Sequence, residues 1–152
     1  MKKLIINIAL LFVFVLYCNA QSIIEQNGIY LNNNHPFTGL YVEHYTNGVK
    51  KVEMTVVNGA KEGTTTFYYP SGQVSEVRSY KANSMHGKWE TFDKNAKKTG
   101  EAHYTNGLKS GTWQIWDKSG QLRYKMYYKA GKKVGTWEKY NNAGKLIAQK
   151  NY

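Results

Sequence analysis

A single cysteine, Cys18, and two prolines, Pro36 and Pro70, are all that the 152-residue chain contains of either type. One thiol excludes an intrachain disulfide framework and any paired-Cys metal site. No stretch beyond residue 20 carries an apolar stripe at helical spacing, which excludes helix bundles and doubly wound α/β folds. Histidine is sparse as well: among His35, His44, His86 and His103 no two stand at metal-ligand spacing, and there is no HExxH. Pro70-Ser71-Gly72 and Lys118-Ser119-Gly120 are turn chemistry rather than nucleophile elbows. The glycines stand too far apart to cradle a phosphate. These absences predict a protein that is not an enzyme and has no metal and no cofactor.

What the chain does have is a strict period. Twelve of its 14 glycines fall into three columns that recur every 24 residues. The first is Gly39, Gly63, Gly87, Gly111 and Gly135. The second is Gly48, Gly72, Gly120 and Gly144, with Ala96 in the remaining place, and the third is Gly59, Gly107 and Gly131, with Asn83 in its gap. Asn tolerates a positive φ best among the non-glycine residues, so the third column predicts a left-handed backbone position. Aromatic columns share the period: Tyr41, Thr65, Trp89, Trp113 and Trp137; His44, Tyr68, Phe92, Trp116 and Tyr140; Val56, Tyr80, Tyr104, Tyr128 and Tyr152. In the unit from Gly111, residues 111–116 and 121–128 read as strands around the turn Asp117-Lys118-Ser119-Gly120. Leu122, Tyr124, Met126 and Tyr128 alternate there with Arg123, Lys125 and Tyr127, which predicts a strand with one buried face. The repeats run 39–62, 63–86, 87–110, 111–134 and 135–152, after a cap segment at 21–38. Each unit therefore reads as a β-hairpin, and the expected fold class is all-β.

Tyr45-Thr46-Asn47-Gly48, Tyr104-Thr105-Asn106-Gly107-Leu108-Lys109-Ser110-Gly111-Thr112-Trp113 and Pro36-Phe37-Thr38-Gly39-Leu40-Tyr41 resemble the bacterial variant of the MORN repeat, the kind found in YwqK-type antitoxins. The resemblance covers residues 36–152 and departs from the pattern at Ala96 and around Val49 to Val57. It implies an elongated single-layer antiparallel sheet of successive β-hairpins and a binding or scaffolding role, and it carries over no catalytic residue.

Lys2 and Lys3, an apolar run from Leu4 to Tyr17 and then Cys18-Asn19-Ala20 make the layout of a secretory signal peptide over residues 1–20. The mature protein is expected to begin at Gln21 and to be periplasmic, cell-surface or secreted. A lipoprotein signal ending at Cys18 is the alternative reading, although Tyr17 stands where such signals have a small residue. Without the segment, 19 basic residues face 10 acidic ones. Residues 21–86 hold five of each sign, whereas 87–152 hold fourteen basic and five acidic, so the whole excess lies in the C-terminal half.

A field of that sign favours anionic partners, and it also fits lysines that keep sheet edges and turns soluble. Lys129, Lys132, Lys133 and Lys139 gather around the last inter-hairpin turn and are the candidate interaction surface. Trp89, Trp113 and Trp137 read either as the inter-repeat core or as a ladder for ligands. Two functions follow. One is a protein-interaction or scaffold module, antitoxin-like in its action; the other is an envelope-ligand binder that recognises anionic lipid or glycan. Nucleic acid is an unexpected ligand for an exported chain.

Overall fold

Residues 22–152 are described by a computed structural model, and the expected signal segment, Cys18 included, lies outside the described residues. The described chain has no helix. Its strands are β1 (Ile23–Gln26), β2 (Ile29–Asn32), β3 (His35–Pro36), β4 (Gly39–His44), β5 (Lys50–Val57), β6 (Ala60–Tyr68) and β7 (Val74–Lys81), then β8 (Ser84–Met85), β9 (Gly87–Phe92), β10 (Lys98–Thr105), β11 (Leu108–Trp116), β12 (Leu122–Lys129), β13 (Lys132–Tyr140) and β14 (Leu146–Asn151). The first three form a small sheet of their own. The rest form one antiparallel sheet that follows chain order from β4 to β14, with β8 paired to β7 as a short stub ahead of β9. Among the described residues no second layer covers it, as a chain of hairpins in a single-layer sheet requires.

Two kinds of turn alternate along this sheet, and the glycine columns explain both. The third column closes two-residue loops: Asn58-Gly59, Ala82-Asn83, Asn106-Gly107 and Ala130-Gly131 all have positive φ at both positions. That is the type I′ turn, whose twist suits antiparallel strands, and Asn83 at φ 66° meets the expectation for it. Each of these turns also bonds backward along the sheet. The amides of Gly59, Asn83, Gly107 and Gly131 donate to the carbonyls of Phe37, Lys61, Met85 and Lys109 at 2.7, 3.0, 2.8 and 2.9 Å, always 22 residues earlier. The second column closes three-residue loops, in which Gly48, Gly72, Ala96, Gly120 and Gly144 donate to Tyr45, Tyr69, Asp93, Asp117 and Asn141. Ala96 sits at φ 59°, so the missing glycine is replaced without a change of turn.

The first column has a different task. Gly39 and Gly87 open β4 and β9, but Gly63, Gly111 and Gly135 lie inside β6, β11 and β13, where the ladder to the preceding strand slips: Glu101 pairs with Gln114 but His103 with Ser110, and Lys125 with Glu138 but Tyr127 with Val134. These are bulges at Gly111 and Gly135, with φ 59° and 64°. The strand expected to begin at Gly111 therefore begins at Leu108. A second difference concerns β12. Tyr124, on the face expected to be covered, is 38% exposed, while Arg123, Lys125 and Tyr127 are half-buried. A one-layer sheet must find burial on both faces, from side chains lying across their neighbours, so neither face is dry.

Among the described residues, burial is confined to Val52, Met54, Val56, Gly59, Thr65 and Tyr80, at the N-terminal end of the large sheet. There the small sheet docks onto the first turn. The Tyr30 amide donates to the Gly59 carbonyl at 2.9 Å, and Asn83 Nδ2 donates to the Gly28 carbonyl at 3.0 Å. A Cβ on Gly59 would lie 2.6 Å from Ile29 Cγ2, so the contact needs glycine for space as well as for its φ of 80°.

Candidate interaction face

The first and third aromatic columns interleave into one stack. Tyr80, Trp89, Tyr104, Trp113, Tyr128, Trp137 and Tyr152 follow one another at centroid separations of 5.6, 4.7, 5.2, 5.1, 5.2 and 4.9 Å, every pair tilted or edge-on. Such geometry suits the ring quadrupoles. The register places these residues on one face, because Gly111 lies opposite Tyr128 and Trp113 opposite Met126. Each ladder tryptophan is pinned two residues after a first-column glycine: Trp89, Trp113 and Trp137 donate Nε1–H to the carbonyls of Ser79, His103 and Tyr127 at 3.0, 3.1 and 3.1 Å. With its indole donor bonded to backbone and its faces turned to neighbouring rings, the ladder is the spine of the fold.

Cations lie across that spine. Lys109 Nζ is 4.5 Å from the Trp113 ring centroid and 5.0 Å from that of Tyr128, and Lys133 repeats the arrangement over Trp137 and Tyr152 at 4.5 and 4.9 Å. Lys150 lies 5.0 Å from the Tyr152 ring and Lys139 lies 5.9 Å from that of Tyr124. Each such contact contributes about 0.5 to 1 kcal/mol at an exposed site, enough to hold a flexible ammonium in place.

Strand alternation separates the charges. Glu90, Glu101 and Glu138, the strand carboxylates of residues 87–152, pair with each other or with Gln114, Lys125 and Gln149, all on the face opposite the ladder. Lys88 and Lys98 join them there. Lys88 meets Glu90 at 3.0 Å, while Lys98 reaches Glu90 and, at 2.8 Å, Glu101. Burial works to raise the Glu90 carboxyl, but the hydrogen bonds from Lys98 and Lys88 outweigh it and hold it below the usual carboxylate range. Glu101 is lowered chiefly by its hydrogen bond from Lys98. No strand carboxylate of residues 87–152 thus lies on the ladder face; Glu76 of β7, which does, is paired with Arg78.

The four candidate lysines do not form one cluster. Lys129 and Lys132 are register partners beside the Ala130-Gly131 turn, on the face opposite the ladder. Lys133 lies opposite Tyr128 on the ladder face, and Lys139 lies opposite Tyr124 on that same face, toward the far end of β13. A one-residue step along a strand reverses a side chain, so sequence proximity concealed this division. Lys139 instead borders a cleft of about 200 Å³ with Tyr124, Met126, Trp137, Lys150 and Tyr152. Beside it Ile115, the register partner of Tyr124, is 43% exposed. Sequence reasoning did not single out Ile115, Tyr124 or Lys150. Their signal was the register, which places them beside Lys139. Among the described residues no three His, Cys, Asp or Glu side chains come together as metal ligands.

No curated protein matches the chain. Among solved structures it is similar to a crystal structure of accessory secretory protein 1, 2 and 3 in Streptococcus pneumoniae, with 12% identity over 76% of this chain and 22% of that one, at a TM-score of 0.39. The family model described as the MORN repeat variant matches residues 61–82, 109–130 and 133–152. Those segments span the hairpins β6–β7, β11–β12 and β13–β14, which the three-residue loops close, and in them the chain carries MORN-variant repeats.

Proposed function

We propose that the protein is an exported, non-catalytic repeat scaffold that docks a protein partner, with an antitoxin-like neutralising role outside the cytoplasm. The observation that carries this reading is the ladder face of the C-terminal half, where exposed Ile115 and Tyr124 stand beside Lys139, with Lys109, Lys133 and Lys150 on the same face and no strand carboxylate of residues 87–152 among them. Apolar anchors rimmed by cations suit a partner with an apolar centre and an acidic rim. MORN-variant repeats support a scaffold, and the N-terminal sequence layout supports export.

The experiment is capture from the cell-envelope fraction with two variants. Lys133→Gln/Lys139→Gln alters the ladder face, and Lys129→Gln/Lys132→Gln alters the opposite face by the same charge. The proposal expects the first to lose a protein partner and the second to retain it. Equal retention by both removes the ladder face. A partner that is an anionic polymer or lipid, released steeply as salt rises, replaces the protein reading with envelope-ligand binding.

A further inference from the structure

The aromatic ladder is interrupted at one place. In the N-terminal half the tryptophan column reads Thr65 and the tyrosine column reads Val56, and these are 2% and 0% exposed. Two rings are therefore missing between Tyr41 and Tyr80. The small sheet supplies one substitute: Tyr30 stacks on Tyr41 with centroids 5.1 Å apart. No ring pair continues from Tyr30 to Tyr80. What remains is a cleft of about 390 Å³ with Tyr30, Tyr41 and Tyr80 on its walls and Val52, Met54 and Thr65 in its lining. That volume falls within the range of small-molecule sites.

Charge on the walls narrows the ligand. Lys51 is paired with Glu43 at 2.7 Å and Arg78 with Glu76 at 2.5 Å, while Glu25 Oε1 accepts the Gly28 amide at 2.5 Å. Lys61 has no carboxylate partner among the described residues, and its ammonium is held 4.8 Å from the Tyr80 ring centroid. Burial, with Glu25 next, pushes the Tyr30 phenol up to about 12, so it stays a neutral donor at any physiological pH. We infer that this cleft binds a single aromatic ring bearing a carboxylate, with the ring between Tyr30 and Tyr80 and the carboxylate at Lys61. A free aromatic acid and the C-terminal aromatic residue of a peptide both offer that chemistry. The site lies at the opposite end of the sheet from the proposed docking face, so the two readings stand or fall separately.

The test is calorimetric titration of the purified protein with N-acetyl-phenylalanine, its uncharged amide, and a tripeptide ending in phenylalanine. The acid is expected to bind and the amide to bind roughly tenfold or more weakly, the loss of one charge-assisted hydrogen bond. Lys61→Met should abolish that discrimination without unfolding the sheet, because Met85 occupies the same place in the next repeat. A folded Thr65→Trp variant, which fills the gap with the ladder's own side chain, should not bind. Tighter binding of the tripeptide than of the acid identifies a peptide terminus as the source; equal binding identifies the free acid. Equal affinity for acid and amide, undiminished discrimination in Lys61→Met, undiminished binding to folded Thr65→Trp, or no saturable binding below about 10 mM each overturns the inference.

Discussion

Replacing Trp113 with alanine tests whether the ladder holds the fold. The ring is half-buried between Tyr104 and Tyr128, with centroids 5.2 and 5.1 Å away, and its Nε1–H is bonded to the His103 carbonyl. Half of a tryptophan's burial, about 100 Å² at about 25 cal/mol per Å², contributes roughly 2.5 kcal/mol. Two ring pairs add about 0.5 to 1.5 kcal/mol each, and the indole hydrogen bond adds about 1 kcal/mol. These terms overlap, so the expected loss is about 3 to 5 kcal/mol, read as a lower urea midpoint at unchanged slope. Trp113→Phe keeps a ring and loses the donor, and should cost clearly less. Trp137 has the equivalent partners one repeat on, the rings of Tyr128 and Tyr152 and the Tyr127 carbonyl, so a smaller loss in Trp137→Ala would reflect its place near the end of the array. Unchanged stability in Trp113→Ala together with lost partner capture would refute the argument and turn the ladder into a ligand platform.

Ala96→Gly should raise stability by about 0.4 to 1 kcal/mol, because Ala96 holds a left-handed φ of 59° that glycine adopts without strain; an unchanged melting temperature refutes this. Ala130→Asn should stabilise by a few tenths of a kcal/mol, since Asn58 and Asn106 occupy the matching turn position and Ala130 has φ 47°. Asp117 is held down to about 2, first by the Ser119 hydroxyl and then by the Gln121 amide and Arg123. A depressed folded value means that this stabilisation is complete above the unfolded carboxyl range and disappears as pH falls toward 2. Asp117→Asn should therefore show a shallower loss of stability between about pH 4 and pH 2, and identical acid unfolding curves would contradict it. Mass spectrometry of exported protein should find an N-terminus at Gln21; a lipid-bearing Cys18 would replace secretion with anchoring.

The division between what the sequence revealed and what it concealed follows from the range of each constraint. A glycine column records a local need for positive φ, so periodicity exposed the turns and the repeat length, and even Ala96 and Asn83 could be placed in them. The ladder was half legible for the same reason. Its two aromatic columns each have the period, but their interleaving into one stack depends on the register across β10–β11 and β12–β13, which the bulges at Gly111 and Gly135 set. An in-strand bulge and a strand-opening glycine look alike in a sequence, since both ask for the same backbone freedom. Charge suffered most. Lys132 and Lys133 are neighbours in the chain and lie on opposite faces, whereas Lys109 and Lys133 are 24 residues apart and perform the same act over equivalent rings. Counting lysines along the chain measured the excess and its half correctly but did not show how the register divides it between the two faces. In a one-layer sheet of period 24 the neighbour that matters is the residue one repeat away, so any interaction surface must be built from columns rather than from runs.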